Sequence, residues 1–415
     1  MAGVHGVLDR LARTRRRSLA LAAFPVLAAL LTSAAACGGS AQGLAGPAAA
    51  RTAAVASTAA AGGKLTVLSA SFISPVTAWA LATPCADEPG TCKTVEVRKT
   101  TDGGRAWTSV AAPPASPADQ YQGTPPANAV GKILFTGART GYAFGSSLWR
   151  TVDGARSWHR IPLPAGELRA FAPSGSVLLA VMTRCGSGGS DCRSQVYERG
   201  AGTVGATALW RALPGADGPA GAPSGTVGAD SVALVASGGA GYVTWMPPGG
   251  VEGKPVLAGG PANGSEPWHR VTVPCVAFTT ALSAAGGWLF FGCGGEPGAG
   301  NQLKIAYVSH NGGHGWAKVA APPFGGYLAG ASMTAGGTVF LSGDRMDVYI
   351  SHDRGRTWTQ APSLNGAAGT ADAGGSLTAT AVTNTFGVTV QTDVTSHQLY
   401  LTRTAGRTWT AVTVP

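Results

Sequence analysis

Charge is scarce in this 415-residue chain: Asp, Glu, Lys and Arg together make up 12%, and aromatic residues only 7%. Such a composition excludes an architecture of amphipathic helices and leans towards many short strands joined by glycine-rich turns. Past residue 36 there is no run of Lys or Arg and no basic stripe interleaved with aromatics, so nucleic-acid binding has no footing. Several catalytic signatures are missing as well: there is no HExxH, no GxSxG, and no phosphate-cradling glycine loop ending in Lys-Ser/Thr. No cysteine pair has the tight C-x2–4-C spacing of a zinc site with histidines nearby. No cofactor and no metal are expected.

What is present begins with an N-terminal signal. Of the formal charge of +10, much sits in Arg10, Arg13, Arg15, Arg16 and Arg17, opposed only by Asp9. An apolar run follows from Ser18 to Ala36, broken by Pro25 and ending in Ser33-Ala34-Ala35-Ala36-Cys37-Gly38-Gly39-Ser40. That order of segments is a signal-peptide layout, residues 1–36. Its end resembles the lipobox of bacterial lipoproteins, which implies acylation of Cys37, a membrane attachment through the lipid, and export to the cell surface. Ala34 stands where that family has Leu, so cleavage after Ala36 or an uncleaved anchor are the alternatives. Thr14-Arg15-Arg16-Arg17-Ser18-Leu19 resembles a twin-arginine signal, with Ser18 in place of a large apolar residue. Residues 37–63 are mostly Ala, Gly, Ser and Thr, too poor in large apolar groups to fold alone, and read as a tether.

Seven cysteines are an odd number, and setting Cys37 aside leaves six. Cys85 and Cys92 enclose a six-residue loop, and so do Cys185 and Cys192. Cys275 and Cys293 flank a hairpin centred on Ala284-Ala285-Gly286-Gly287. Three local disulfides are the economical account, and they suit an exported protein.

The informative signal is a recurring turn. Thr100-Thr101-Asp102-Gly103-Gly104-Arg105-Ala106-Trp107 returns as Thr151 to Trp158, with Asp153, and as Ser351 to Trp358, with Asp353 and Gly355. Two further copies lack the aspartate: Ser309 to Trp316 carries Asn311 and Gly313, and Thr402 to Trp409 carries Thr404 and Gly406. An Asp or Asn side chain accepts backbone N–H bonds within its own turn, glycine supplies a positive φ, and the tryptophan opens the outgoing strand, where its ring can seal one repeat against another. The pattern S/T-x-D-x-G-x-x-W resembles the Asp-box, or bacterial neuraminidase repeat.

Spacing then counts the repeats. Between Trp158 and Trp316 there is room for two more units, ending at Trp210 and Trp268, with Gly205 and Asn263 at the aspartate position. The seven tryptophans are separated by 51, 52, 58, 48, 42 and 51 residues. Repeats of about fifty residues with four short strands each describe propeller blades. The expectation is therefore an all-β fold: a seven-bladed β-propeller of four-stranded antiparallel blades over residues 64–415, closing as a monomer. Whether the seventh blade borrows a strand from residues 64–73 is left open. The segment Leu134 to Gly145 also resembles the blade pattern of the photosystem II assembly-factor family, which implies, at most, a role in assembling a membrane complex.

The Asp-box resemblance brings sialidases with it, so a glycosidase is the alternative function. Such an enzyme needs an arginine cluster, a Tyr-Glu nucleophile pair and an acid/base Asp around the central mouth. Arg160-Ile161-Pro162 matches the sialidase Arg-Ile-Pro motif, but it follows the second turn and merely continues a strand. Tyr197 and Glu198 are adjacent and should face opposite ways; Glu296 and Asp344 are isolated carboxylates. His310, His314 and His352 belong to the turns. The reading is a non-catalytic scaffold that binds a protein, peptide or glycan partner through the face bearing the cysteine loops.

Overall fold

The computed structural model describes residues 65–84, 94–118, 126–186, 192–202, 209–219, 232–246, 253–298, 301–323, 325–344, 347–361, 364, 376–392 and 399–415. Their strands form seven four-stranded antiparallel sheets, each made of consecutive segments, giving a seven-bladed β-propeller. Blade one holds β1 (Thr66–Phe72), β2 (Ala78–Thr83), β3 (Glu96–Thr100) and β4 (Thr108–Val110). Blade two holds β5 (Val130–Phe135), β6 (Gly141–Gly145), β7 (Leu148–Thr151) and β8 (His159–Ile161). Blade three holds β9 (Glu167–Ser174), β10 (Val177–Arg184), β11 (Arg193–Gly200) and β12 (Arg211–Asp217). Blade four holds β13 (Val232–Ser237), β14 (Ala240–Trp245), β15 (Val256–Pro261) and β16 (His269–Val271). Blade five holds β17 (Thr279–Ala285), β18 (Trp288–Gly298), β19 (Asn301–Ser309) and β20 (Ala317–Val319). Blade six holds β21 (Leu328–Met333), β22 (Val339–Gly343), β23 (Val348–Ser351) and β24 (Thr359–Gln360). Blade seven holds β25 (Ser376–Ala381), β26 (Gly387–Thr392), β27 (Leu399–Thr402) and β28 (Thr410–Val412).

Each blade is covered on both faces by its neighbours, so the strands are apolar on both sides. All six residues of β2 are buried, as are all five of β22. The outermost strands are two or three residues long except β12, and short edges offer little template for pairing with another chain. Among the described residues the apolar burial is accordingly divided among the seams rather than gathered in one central core. The buried apolar side chains gather into seven clusters, one at each seam between adjacent blades. The cluster joining blades seven and one combines Val67, Ala78 and Ala80 with Phe386, Val388 and Leu401. Strand β1 pairs within blade one, so the ring closes by packing rather than by a borrowed strand.

Every one of the seven repeat tryptophans packs into the cluster it shares with the preceding blade. Four of them add a directed bond. The indole N–H of Trp158 donates to the Ala111 carbonyl at 2.8 Å, that of Trp210 to Pro162 at 2.6 Å, that of Trp316 to Thr272 at 2.9 Å and that of Trp358 to Ala320 at 2.9 Å. In each case the acceptor is the residue directly after the outer strand of the preceding blade. Trp268 and Trp409 instead bond carbonyls of their own blade, Pro261 and Gly406, and the Trp107 indole N–H is buried without a partner. Serines supply a second stitch nearer the axis. The free edge of each inner strand needs acceptors for its N–H groups. Phe135 N–H donates to Ser71 Oγ at 2.8 Å, Met333 N–H to Ser283 Oγ at 2.9 Å, and Ala381 N–H to Ser332 Oγ at 3.1 Å.

The repeated turn joins the third and fourth strands. In blade one, Asp102 Oδ1 accepts the amides of Arg105 and Ala106, both at 3.0 Å, and the Thr100 hydroxyl at 2.8 Å. Thr100 Oγ1 in turn accepts the Gly104 amide at 2.9 Å. The hydroxyl half of this arrangement persists in the five described copies that keep Ser or Thr there: beyond blade one, the amides of Ala155, Gly313, Gly355 and Gly406 donate to Thr151, Ser309, Ser351 and Thr402 at 2.7–3.0 Å, whereas blade four has Pro261 at that position. The carboxylate half is replaceable, since Asn311 Oδ1 accepts the Gly315 amide at 2.9 Å and Thr404 Oγ1 accepts the Thr408 amide at 2.9 Å. Among the copies without the aspartate, Asn263 still accepts the Ser265 amide at 3.1 Å, while Gly205 lies outside the described residues.

Two consecutive residues of the turn have positive φ, as in Gly103 and Gly104 at 76° and 88°. The second of them also abuts the preceding blade. A Cβ on Gly406 would fall inside the Ile350 side chain of blade six. Blade two departs from glycine here, with Ala155 held at φ 69° and fully buried in its seam. Gly406→Ala should therefore cost about 2–4 kcal/mol in chemical denaturation, from the left-handed backbone and the overpacked seam together.

The carboxylates of these turns carry a pH dependence. Burial pushes the Asp153 carboxyl up, but hydrogen bonds from the Ser157 and Thr151 hydroxyls and the Ser157 and Arg156 amides outweigh it and hold the group well below the usual carboxylate range. Asp353 is lowered against burial by Thr357 and Ser351, and Asp102 by the Ala106 amide and the Thr100 hydroxyl. A carboxyl lowered by folding contributes stability that is complete above its unfolded pKa of about 3.9 and is lost as pH falls towards its folded value. Asp153→Asn keeps an oxygen acceptor but cannot titrate. Its stability should fall less steeply than the wild type's between about pH 4 and pH 2; equal slopes in denaturant titrations would assign the acid loss to other groups.

Candidate binding face

The chain passes each blade in the same order, which sorts its connections onto two faces. The first-to-second strand turns and the repeated turns lie on one face. The opposite face receives the second-to-third strand loops and the connections from each blade to the next. Cys185 and Cys192 are bonded across the β10–β11 connection on that second face. Cys275 and Cys293 are bonded as well, tying the entry of blade five to β18. Cys293 sits within β18 rather than at its end, because β18 runs on to Gly298 and carries the hairpin beyond the sheet. Cys85, Cys92 and Cys37 lie outside the described residues.

The extension of blade five is fixed by polar bonds within the blade and by one to blade six. Gln302, 5% exposed, accepts the Thr279 hydroxyl at 2.9 Å and the Leu328 amide at 2.8 Å through Oε1, and its Nε2 donates to Gly295 O at 3.1 Å. Lys304, also 5% exposed, donates from Nζ to Asn301 Oδ1 and to Gln302 O, both at 2.9 Å. On β19 successive side chains alternate in direction, so Leu303 points away from this network and is 72% exposed. Val276, next to Cys275, is 55% exposed. The rest of this face is held in the same manner. Arg184 Nε donates to Ala165 O at 2.6 Å, the Thr183 and Ser194 hydroxyls share a buried bond of 2.7 Å, and the Tyr327 amide donates to Asp344 Oδ1 at 2.6 Å.

The carboxylates considered for catalysis are dispersed. Asp344 is spent on the entry to β21, Glu296 is exposed on the extended hairpin, and Glu198 pairs with Arg211 of the outer strand at 2.7 Å. Tyr197 packs into the seam with blade two, facing away from Glu198. Among the described residues Arg169 is the one arginine on an inner strand, and it pairs with Glu167 at 3.0 Å. The arginines of the repeated turns lie on the other face. His310 and His314 lie there too, with His314 stacked on His269 at 5.0 Å and His310 tilted against Trp288 at 5.4 Å. His352 Nδ1 lies 3.2 Å from the Thr338 hydroxyl. Among the described residues no group of three or more His, Cys, Asp or Glu could hold a metal ion.

No family model matches the chain, and no curated protein matches it. Solved structures do. YCF48 from Cyanidioschyzon merolae has a TM-score of 0.50 at 16% identity, covering 83% of this chain and 97% of its own. YCF48 bound to D1 peptide scores 0.49 at 16% identity, covering 85% and 94%. The GH74 xyloglucanase from Xanthomonas campestris scores 0.30 at 13% identity, covering 83% and 72%. The likeness is one of fold. A shared fold does not by itself carry a shared ligand.

The disulfide of blade five, between residues 18 apart in sequence, closes a loop that contains β17 and the first part of β18. Replacing both Cys275 and Cys293 with Ser should lower stability by about 2–4 kcal/mol in non-reducing denaturation, and reduction of the wild type, which also opens Cys185–Cys192, should lower it further.

Proposed function

We propose that this chain is an exported, non-catalytic scaffold of Asp-box design that binds a protein, peptide or glycan partner through its disulfide-braced face. One observation carries the reading: both described disulfides, the buried Gln302–Lys304 network and the exposed apolar side chains Leu303 and Val276 lie on that same face. Bracing loops before binding lowers the entropy lost on association, and exposed apolar groups held on rigid elements make effective anchors. The disulfides favour an oxidising compartment. That fits the signal-like residues 1–36, lipidation at Cys37 and a tether over 37–63, with the propeller as a monomer beyond them. The scattered placement of Arg169, Glu198, Glu296 and Asp344 supports binding over sialidase chemistry.

The test is a panel of sialosides, other glycans and extended peptides presented to the full-length protein, with retention and turnover read separately. Retention without turnover is expected, and Leu303→Glu should weaken it at least tenfold. Turnover that disappears in Arg169→Ala would replace the scaffold with a glycosidase. Retention unaffected by both Leu303→Glu and Val276→Glu would move the binding surface elsewhere.

A further inference from the structure

The face of the repeated turns carries a site of its own. A cavity of about 560 Å³ opens at the seam between blades one and two, lined by Lys99, Thr108 and Val110 on one side and by Arg139, Asp153 and Arg156 on the other. We propose that it binds a tetrahedral oxyanion, a phosphate or sulfate ester group, with Lys99, Arg139 and Arg156 as the cationic ligands.

Three observations support the assignment. First, none of the three cations is held in an ion pair: the ion pairs among the described residues use Arg98, Arg169, Arg211 and Arg270, and none involves Lys99, Arg139 or Arg156. Asp153 is the one carboxylate in the lining. Its oxygens already accept the Thr151 hydroxyl at 2.8 Å, the Arg156 and Ser157 amides at 2.9 and 3.0 Å, and the Ser157 hydroxyl at 2.6 Å. Its acceptor capacity is turned inward to the turn that presents Arg156.

Second, the spacing of the cations is set by rigid backbone. The Gly154 amide donates to Arg139 O at 2.8 Å, locking the β5–β6 turn to the repeated turn. Gly154 has φ 78°, and a Cβ there would stand 2.9 Å from Ala138 O, so the close approach of the two turns depends on glycine. Lys99 is steered from the neighbouring blade, its Nζ lying 5.2 Å above the Trp79 ring. Trp79 is itself fully buried and stacked on Phe135 at 3.7 Å.

Third, the donor set suits the ligand. Two guanidinium forks and one ammonium approach from two sides, which matches an anion with three or four oxygens better than a planar carboxylate. Val110 and the Ala138 side chain supply an apolar wall for the carbon skeleton of an ester.

The test titrates inorganic phosphate, and separately a sulfated disaccharide, into the full-length protein at low ionic strength. Saturable one-site binding is expected, weakened by added salt because the site is partly open. The double variant Arg139→Ala, Arg156→Ala should lose at least tenfold in affinity with an unchanged melting temperature. Arg407→Ala, which removes the matching exposed arginine of the blade-seven turn, should stay within twofold. Tighter binding of the disaccharide would assign a glycan ester as the source, and tighter binding of phosphate a small phosphorylated molecule. An equal loss in Arg407→Ala would reduce the effect to general surface charge, and the absence of saturable binding to either probe would overturn the site.

Discussion

A four-stranded sheet with apolar side chains on both faces cannot be stable alone; it must be covered on both sides. Seven such sheets arranged in a ring cover one another, and burial of apolar area at each seam is the dominant favourable term. All else in the molecule adjusts that contact. The tryptophan at the start of each outer strand fills the seam with the preceding blade, and where its indole N–H finds the carbonyl beyond that blade's outer strand, the packing gains a fixed register. The second positive-φ residue of the turn belongs to the same contact, because it brings backbone against the preceding blade where a side chain would intrude. Ala155 shows the limit of that demand: a single methyl is accepted where the facing seam leaves room for it.

The same constraint separates the two faces. Turns that must dock against a neighbour are short, hydrogen-bonded internally and similar from blade to blade. Connections on the opposite face have no such duty and can lengthen, as β18 and β19 do beyond blade five. Length exposes backbone polar groups and adds disorder, and the chain answers with disulfides and with side-chain acceptors such as Gln302 and Asp344. Variation is therefore concentrated where it costs the ring least, which is also where a partner can be met. The turn face acquires charge by a different route: Arg105, Arg156, Arg356 and Arg407 occupy the same exposed position of the repeated turn, and in blade two the β5–β6 turn adds Arg139 to the same cavity.

The fold was legible because its main determinant leaves a mark on single positions. A tryptophan at nearly constant intervals is a seam counted along the chain, and it survives in blades three and four where the aspartate does not. The turn chemistry was half legible. Aspartate was readable as an acceptor, whereas the Ser or Thr two residues earlier, which bonds the second positive-φ residue in the five described copies that carry it, passed as a mere element of the frame. The binding-face features were less visible. Paired cysteines announced the braced loops, but nothing local distinguishes Leu303, exposed, from Ile305, half-buried, on the same strand. The cleft at the first seam was hidden altogether, because Lys99 and Arg139 are forty residues apart and meet only when two blades pack.

The persistence of the hydroxyl over the carboxylate has a physical reason. The Ser or Thr lies at the buried end of the third strand, fully or almost fully inaccessible at Thr100, Thr151, Ser309, Ser351 and Thr402. Its oxygen satisfies an amide that no water can reach, and leaving such a donor unpaired costs about 1–3 kcal/mol. The aspartate stands one step further out, where its donors can exchange with solvent, so Asn or Thr replaces it at smaller cost. Loss of the acidic residue from four of the seven repeats therefore does not signal decaying blades. It marks the boundary, within a single turn, between groups whose bonds the seam requires and groups whose bonds merely tighten it.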